Sequence, residues 1–330
     1  MSINPSFEQA IKVTPEGANK YSAHLRPEWC IGTVPHGGYT TAVIYNLALT
    51  HFAHAHPNQY KNPATPISIQ LSFLRRTASG PATFEVEDVK LGARTSTIHI
   101  KLLQPSEKKP GTLETMVVGY ITVSPASAEV GISAKTGWKP QPAPASGSRA
   151  DGSVDLSSLG RTGSDGSWKK LNPPFPEFRK AGTQLELFGP VGGQSQGGLS
   201  IDQWARFRPG GDVNGRWTDA AVAYLIDMFP SALDGFDTMS EEAAKANGED
   251  GKAKNWYPTV TLNVDMKKRL PVEGVEWLYS RVVTKVVKDG RTDLEVTVLD
   301  ERGEVVALST QVGLALSASR NVGTRKLGKL

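Results

Sequence analysis

Residues 37–55, GGYTTAVIYNLALTHFAHA, lead into an alternating stretch at 67–76, ISIQLSFLRR. Residues 218–229, TDAAVAYLIDMF, stand in the same relation to 260–269, VTLNVDMKKR. Apolar residues in 37–55 and 218–229 recur at helical spacing, which predicts two helices. Ile67, Ile69, Leu71 and Phe73 share one face of an extended strand, and Val260, Leu262, Val264 and Met266 do the same. Three more strand patterns follow each pair: 81–91, 98–102 and 115–123 in the first half, then 276–287, 294–298 and 305–316 in the second. Hairpin turns are expected at Gly92 and at Asp289-Gly290. The strands superpose at an offset near 193–196, and the helices at 179, where Ala42-Val43-Ile44-Tyr45 falls on Ala221-Val222-Ala223-Tyr224. A longer polar loop at 234–256, with a short helix expected at 240–246, absorbs the difference. The pattern helix, then four strands, is therefore written twice. A helix laid on an antiparallel sheet buries one face of each, so the duplication predicts one pseudo-symmetric α+β body.

Composition agrees. The chain has 330 residues, 38% hydrophobic and 21% charged, enough for a large core and too apolar for global disorder. Lys plus Arg is 37 against 33 for Asp plus Glu. That small surplus is not gathered into a basic stripe, which argues against a nucleic-acid partner. Cys30 is the single cysteine, so an internal disulfide and a cysteine-based zinc site are both excluded. No apolar run approaches the roughly 20 residues of a membrane span, and the N-terminus has no signal-peptide pattern. A cytoplasmic location is expected, with the C-terminal Gly-Lys-Leu one residue from a peroxisomal Ser-Lys-Leu address. The stretch 126–180 is rich in Pro, Gly and Ser. The expected organisation is an N-terminal unit (1–125), a linker (126–180), a C-terminal unit carrying the active site (181–318) and a basic tail (319–330). FGPVGGQSQGG at 188–198 lacks the Gly-Lys-Ser/Thr ending of a phosphate loop and is set aside.

PHGGYTTAVIYNLAL before SIQLSFLRR resembles the first half of the double hot-dog acyl-CoA thioesterases of the thioesterase II type. LIDMFPS, PTVTLNVDMKKR and VALSTQVG resemble the second half, and together the resemblance covers about 20–125 and 184–316. It implies a double hot-dog fold, hydrolysis of an acyl-CoA or other acyl thioester, no cofactor or metal, and a homodimer or dimer of dimers. It also implies a catalytic trio of Asp227, Thr259 and Gln311. Two departures bear on substrate identity. Thr261 stands where the family often has an acidic residue, and Tyr39-Thr40-Thr41 follows Gly-Gly where bacterial relatives often have a glutamine.

The residues support the same reading independently. Asp227 lies in an otherwise apolar helix, and an ionised carboxylate buried there is costly unless hydrogen-bonded. Thr259 and Gln311 both donate and accept, and with Asp227 could aim a water at a thioester carbonyl. In the repeat, Asp227 falls opposite Ala48, Thr259 opposite Pro66 and Gln311 opposite Val118, so one copy is inert where the other is polar. Backbone N–H groups at a helix start, Pro35-His36-Gly37-Gly38 or Thr218-Asp219, would stabilise an oxyanion. His36, Gly37 and Gly38 are therefore candidate substrate-binding residues. Arg75-Arg76 and Lys268-Arg269, at matching strand ends, are candidates for the phosphates of coenzyme A. His51, His54 and His56 read as an exposed helix end rather than a metal site, since no carboxylate follows nearby. Two other readings are a non-hydrolytic hot-dog enzyme, a dehydratase or acyl transferase, and a non-catalytic acyl- or CoA-binding module. A dehydratase needs a histidine paired with an acid, for which His36 and His99 are the candidates.

Overall fold

The structure, a computed structural model, describes residues 6–60, 62–173, 175–192, 200–229 and 255–321. The loop with its expected helix at 240–246, the basic residues beyond 321 and the C-terminal Gly-Lys-Leu lie outside these residues.

The first half comprises α1 (Phe7–Ala10), β1 (Val13–Pro15), β2 (Lys20–Leu25), α2 (Gly37–Ala55), β3 (Ala64–Phe73), β4 (Gly80–Lys90), β5 (Ser96–Pro105) and β6 (Leu113–Pro125). The remainder carries α3 (Leu156–Thr162), β7 (Trp168–Lys170), β8 (Leu185–Pro190), β9 (Ser200–Phe207), α4 (Asp219–Leu225), β10 (Thr259–Met266), β11 (Trp277–Val283), β12 (Val287–Lys288), β13 (Arg291–Leu299) and β14 (Val305–Leu314). All fourteen strands form one antiparallel sheet, ordered β1-β2-β4-β5-β6-β3-β10-β14-β13-β11-β9-β8-β7, with β12 on β13. β3 and β10 join the halves, pairing Thr261 with Ser72 and Asp265 with Ser68. Both helices lie on the same core, and the pseudo-two-fold axis passes between β3 and β10. Asp289 and Gly290 take φ of 51° and 72°, which closes the predicted two-residue hairpin with Lys288 opposite Arg291. No helix among the described residues is long and apolar enough to cross a membrane.

Each half also has strands before its helix, β1 and β2 in the first and β7, β8 and β9 in the second, which the sequence pattern did not show. β2 offers only Tyr21 and Leu25 as buried residues. In β9 the inward positions are Ile201, Gln203, Ala205 and Phe207, and the buried Gln203 breaks the apolar alternation. The Pro/Gly/Ser-rich stretch also contributes structure. Leu159 of α3 and Trp168 of β7 are fully buried against Phe188 and Trp277 in a satellite core. The end strands β1 and β7 have three residues each and offer little edge to another chain.

Two register shifts matter for the site. β3 is bulged between Pro66 and Ser68, and β10 between Thr259 and Thr261. The extra residues, Ile67 and Val260, are equivalent across the two-fold, so neither sits in the inward row expected from simple alternation. The bulge in β10 re-aims Thr259 to the inner face. The register also revises the repeat alignment. Leu262 pairs with Gln311, and its equivalent Ile69 pairs with Ile121, so Gln311 stands opposite Ile121 rather than Val118. The alternative was three residues out, but the replacement is still apolar to polar.

Candidate active site

α4 is shorter than its sequence predicts. It is N-capped by Thr218, whose hydroxyl accepts from the Ala221 N–H, and it ends at Leu225 rather than 229. Pro230 follows closely in sequence, as is common after a helix end. The last carbonyls of a helix need partners, and here two glutamines reach up from the sheet. Gln311 of β14 donates to the Ile226 carbonyl at 2.8 Å, and Gln203 of β9 donates to the Met228 carbonyl at 3.0 Å. They clamp the tight turn that carries Asp227 between them.

Asp227 then points at the start of α2. The Gly38 N–H donates to Asp227 Oδ2 at 2.7 Å, and the Thr259 hydroxyl donates to Asp227 Oδ1 at 3.0 Å. The carboxylate is 3% exposed. Burial holds its pKa above the usual carboxylate value, against the opposing pull of His36, Thr259 and Gly38. The positive end of the α2 dipole faces it and offsets part of that cost. Glycine is required for this approach. A Cβ on Gly38 would lie 2.5 Å from the Tyr224 carbonyl oxygen, and one on Gly37 would lie 2.6 Å from Asp227 Oδ2.

His36 is the N-cap of α2. Its Nδ1 accepts from the Gly38 N–H at 3.2 Å, so the ring proton is on Nε2, which lies 3.6 Å from Asp227 Oδ2. Burial pushes the His36 pKa below its ordinary 6.5, which favours the neutral ring. His36, Gly37, Asp227 and Thr259 line a cavity of about 260 Å³ whose other walls include Phe73 and Trp256. Arg75 and Arg76 also line it. Arg75 is ion-paired with Glu114 at 2.8 Å, and Arg76 donates to the Arg320 carbonyl.

The structure thus brings together Asp227, Thr259, His36, Gly37 and Gly38, from both halves of the chain, with Arg75 and Arg76 on the same cavity. Three expectations change. Gln311 does not line the cavity; it holds the turn, and its Oε1 is buried with no partner among the described residues. Lys268 and Arg269 are not at the cavity. Because β3 and β10 are antiparallel, matching strand ends lie at opposite ends of the paired strands. Lys268 there binds Asp300 and Glu304, and Arg269 binds Glu129 and the Ser124 carbonyl. The end of α2 is not simply exposed. His51 is fully buried, bonded to Asp88 Oδ1 at 2.9 Å and to the Tyr21 hydroxyl at 2.7 Å, and His56 bonds Asp88 Oδ2 at 2.9 Å. Asp88, on β4, is the carboxylate that proximity in sequence could not supply. These three residues could together hold a metal ion, but none of them lines the cavity.

Sequence reasoning missed Arg179 and Tyr224. Arg179 lines the cavity from the stretch read as linker. Tyr224 packs its ring edge-on to His36, with centroids 5.5 Å apart, and donates its hydroxyl to the Ala181 carbonyl. Among the tryptophans, Trp256 lines the cavity. Trp217 is stacked on Phe207 in the core, and Trp204 packs at the satellite cluster.

The acyl-CoA thioesterase N-terminal domain matches residues 25–124, and the acyl-CoA thioesterase C-terminal domain matches residues 155–315. The chain is 31% identical to the thioesterase-like protein TwmA of Talaromyces wortmannii, over 97% of this chain and 94% of that one. Among solved structures, a hot-dog protein from Alicyclobacillus acidocaldarius superposes with a TM-score of 0.64 at 17% identity, covering 95% of this chain and 99% of that one. The acyl-CoA thioesterase II TesB2 of Mycobacterium marinum gives 0.55 at 17% identity, covering 94% and 98%. Two helix-on-sheet units, a buried carboxylate shared between them and matches to both family domains lead to one conclusion: the chain belongs to the double hot-dog acyl-CoA thioesterase family of thioester hydrolases.

Proposed function

We propose that the chain hydrolyses acyl-CoA thioesters, with Asp227 as general base. The observation that carries this is a buried carboxylate at a cavity, fixed on each oxygen by one donor and with lone pairs left over. A water bonded to Asp227 and Thr259 loses its proton to Asp227 as its oxygen attacks the thioester carbonyl carbon. The Thr259 hydroxyl is committed as a donor to Asp227, so its oxygen is an acceptor that orients the water. The Gly38 N–H is already engaged by Asp227, which leaves the Nε2–H of neutral His36 as a donor to the developing oxyanion. Collapse breaks the C–S bond, the departing thiolate takes the proton from Asp227, and the products are a free acid and a thiol. Arg75 and Arg76 place positive charge where the phosphates of coenzyme A would approach.

Release of free thiol from a panel of acyl-CoAs tests this. Asp227→Asn should lower turnover by about 10²-fold or more while the fold is retained, since a positioned base contributes about 10²–10⁴. Full activity in that variant removes Asp227 from the mechanism.

The His36–Asp227 pair supports one alternative, a dehydratase. That chemistry needs a basic nitrogen facing the substrate, whereas the nitrogen of His36 nearest Asp227 carries the proton. An enoyl product from a β-hydroxyacyl thioester would favour the alternative; free thiol favours hydrolysis.

A further inference from the structure

A second cavity of about 320 Å³ adjoins the first. The two share three lining residues: Pro173, Gly182 and Met228. These form the partition between them. Met228 directly follows Asp227, so the partition begins one residue from the proposed base. Its thioether is unbranched and adaptable, and readily changes rotamer. A Cβ on Gly182 would meet only the Pro173 Cβ, at 3.9 Å, so the glycine leaves open space between strap and turn. The strap itself, residues 171–173 and 175–184, is firmly held. The Leu171 N–H donates to the Leu187 carbonyl at 2.7 Å, the Gln184 side chain donates to the Glu28 carbonyl at 3.2 Å, and Tyr224 holds the Ala181 carbonyl.

Both cavities are mainly apolar with a few polar groups. The first carries Arg75 and Arg76, suited to the polar carrier end of a thioester, beside apolar walls from Phe73, Leu74 and Trp256. The second combines apolar walls from Leu171, Leu187 and Val213 with Asn172, Thr183 and Arg208. Arg208 is ion-paired with Glu186 at 3.3 Å, and the Thr183 hydroxyl donates to the Lys180 carbonyl, so its oxygen still accepts. Val213 is 71% exposed, so the far rim opens to solvent.

We propose that the second cavity is the acyl compartment: the substrate's acyl chain passes from Asp227, between Met228 and Gly182 and beneath the strap, into it. The substrate class is a long-chain acyl thioester with hydroxyl or keto oxygen in its distal half. This rests on the thioesterase reading above.

The test compares butyryl-CoA, palmitoyl-CoA and ω-hydroxypalmitoyl-CoA on wild type, Gly182→Leu and Val213→Trp. Gly182→Leu should lower kcat/KM for both long substrates by about 10-fold or more, the scale on which a pocket senses a few methylenes. Butyryl-CoA should lose markedly less, since its short chain ends at the partition and does not enter the second cavity. Val213→Trp, at an exposed position that spares the fold, should act in the same direction more weakly. Wild type should prefer the hydroxylated chain over palmitoyl, and Asn172→Leu/Thr183→Val should abolish that preference. Equal losses on short and long chains, or no loss on either, overturn the acyl route; absence of the hydroxyl preference overturns the oxygenated class. If wild type releases no thiol from any substrate, the hydrolase reading fails instead. Calorimetric binding of palmitoyl-CoA against butyryl-CoA then still decides the route: selective loss of the long ligand in Gly182→Leu supports it, and equal binding overturns it.

Discussion

Gly37→Ala tests the site at the glycine packed directly on the Asp227 carboxylate. The new Cβ would lie 2.6 Å from Asp227 Oδ2, whereas ordinary contact begins near 3.4 Å, so the carboxylate must retreat by roughly 0.8 Å. Its 2.7 Å bond from the Gly38 N–H cannot survive that movement intact. A misplacement of about 1 Å in a catalytic constellation costs about 10²-fold, so kcat/KM should fall by about that factor, or about 2.7 kcal/mol. Stability should move far less. Alanine favours a helix over glycine by about 1 kcal/mol, and the weakened bond to a charged acceptor costs about 1.5–3 kcal/mol. The thermal midpoint should therefore drop by only a few degrees. The assay is thiol release with Gly37→Ala, Asp227→Asn and the double variant, each with its thermal midpoint. If Gly37 acts only by making room for the carboxylate, Gly37→Ala should cost almost nothing more once Asp227 is Asn. Full activity in Gly37→Ala, or an equal 10²-fold loss in both backgrounds, refutes the reasoning.

Three further outcomes follow from charges and hydrogen bonds. Asp227 must be ionised to act as a base and burial raises its pKa, so kcat/KM should climb with pH through a midpoint above the ordinary carboxylate value. The stability sign runs the other way. A carboxyl whose folded pKa is raised favours folding most below its unfolded pKa and loses that contribution as pH rises through the folded one, so Asp227→Asn should gain stability over wild type as urea titrations move from acid to neutral pH. Asp88→Ala should leave buried His51 without its carboxylate acceptor and cost about 1–3 kcal/mol in urea unfolding, with turnover nearly unchanged.

The duplicated helix-and-strand pattern was legible because its periodicity is strong and local. Asp227 stood out as the charge within the apolar run AVAYLIDMF, and Thr259 by its place at the head of the long strand. What stayed hidden was set by partners far apart in sequence. The bulge at Val260 that turns Thr259 inward depends on register with β14. Gln311 looked like a contact to water, and only the short α4 shows that it caps Ile226. Lys268 and Arg269 matched Arg75 and Arg76 in the repeat, yet antiparallel pairing sends equivalent strand ends to opposite ends. Asp88 could not be linked to His51 before β4 was placed beside the end of α2.

The junction between β3 and β10 has a further consequence. His36, Gly37 and Gly38 come from one half, and Asp227 and Thr259 from the other. Neither half alone contains the whole of the proposed site, and severing the chain between them would bare two long strand edges that now satisfy each other. The halves should behave as complementary fragments, inactive and aggregation-prone apart, and competent only where each finds the other. Evolution can vary the exposed parts of the connecting stretch, but it must keep Leu159, Trp168 and Arg179 in place and cannot let the two units drift apart.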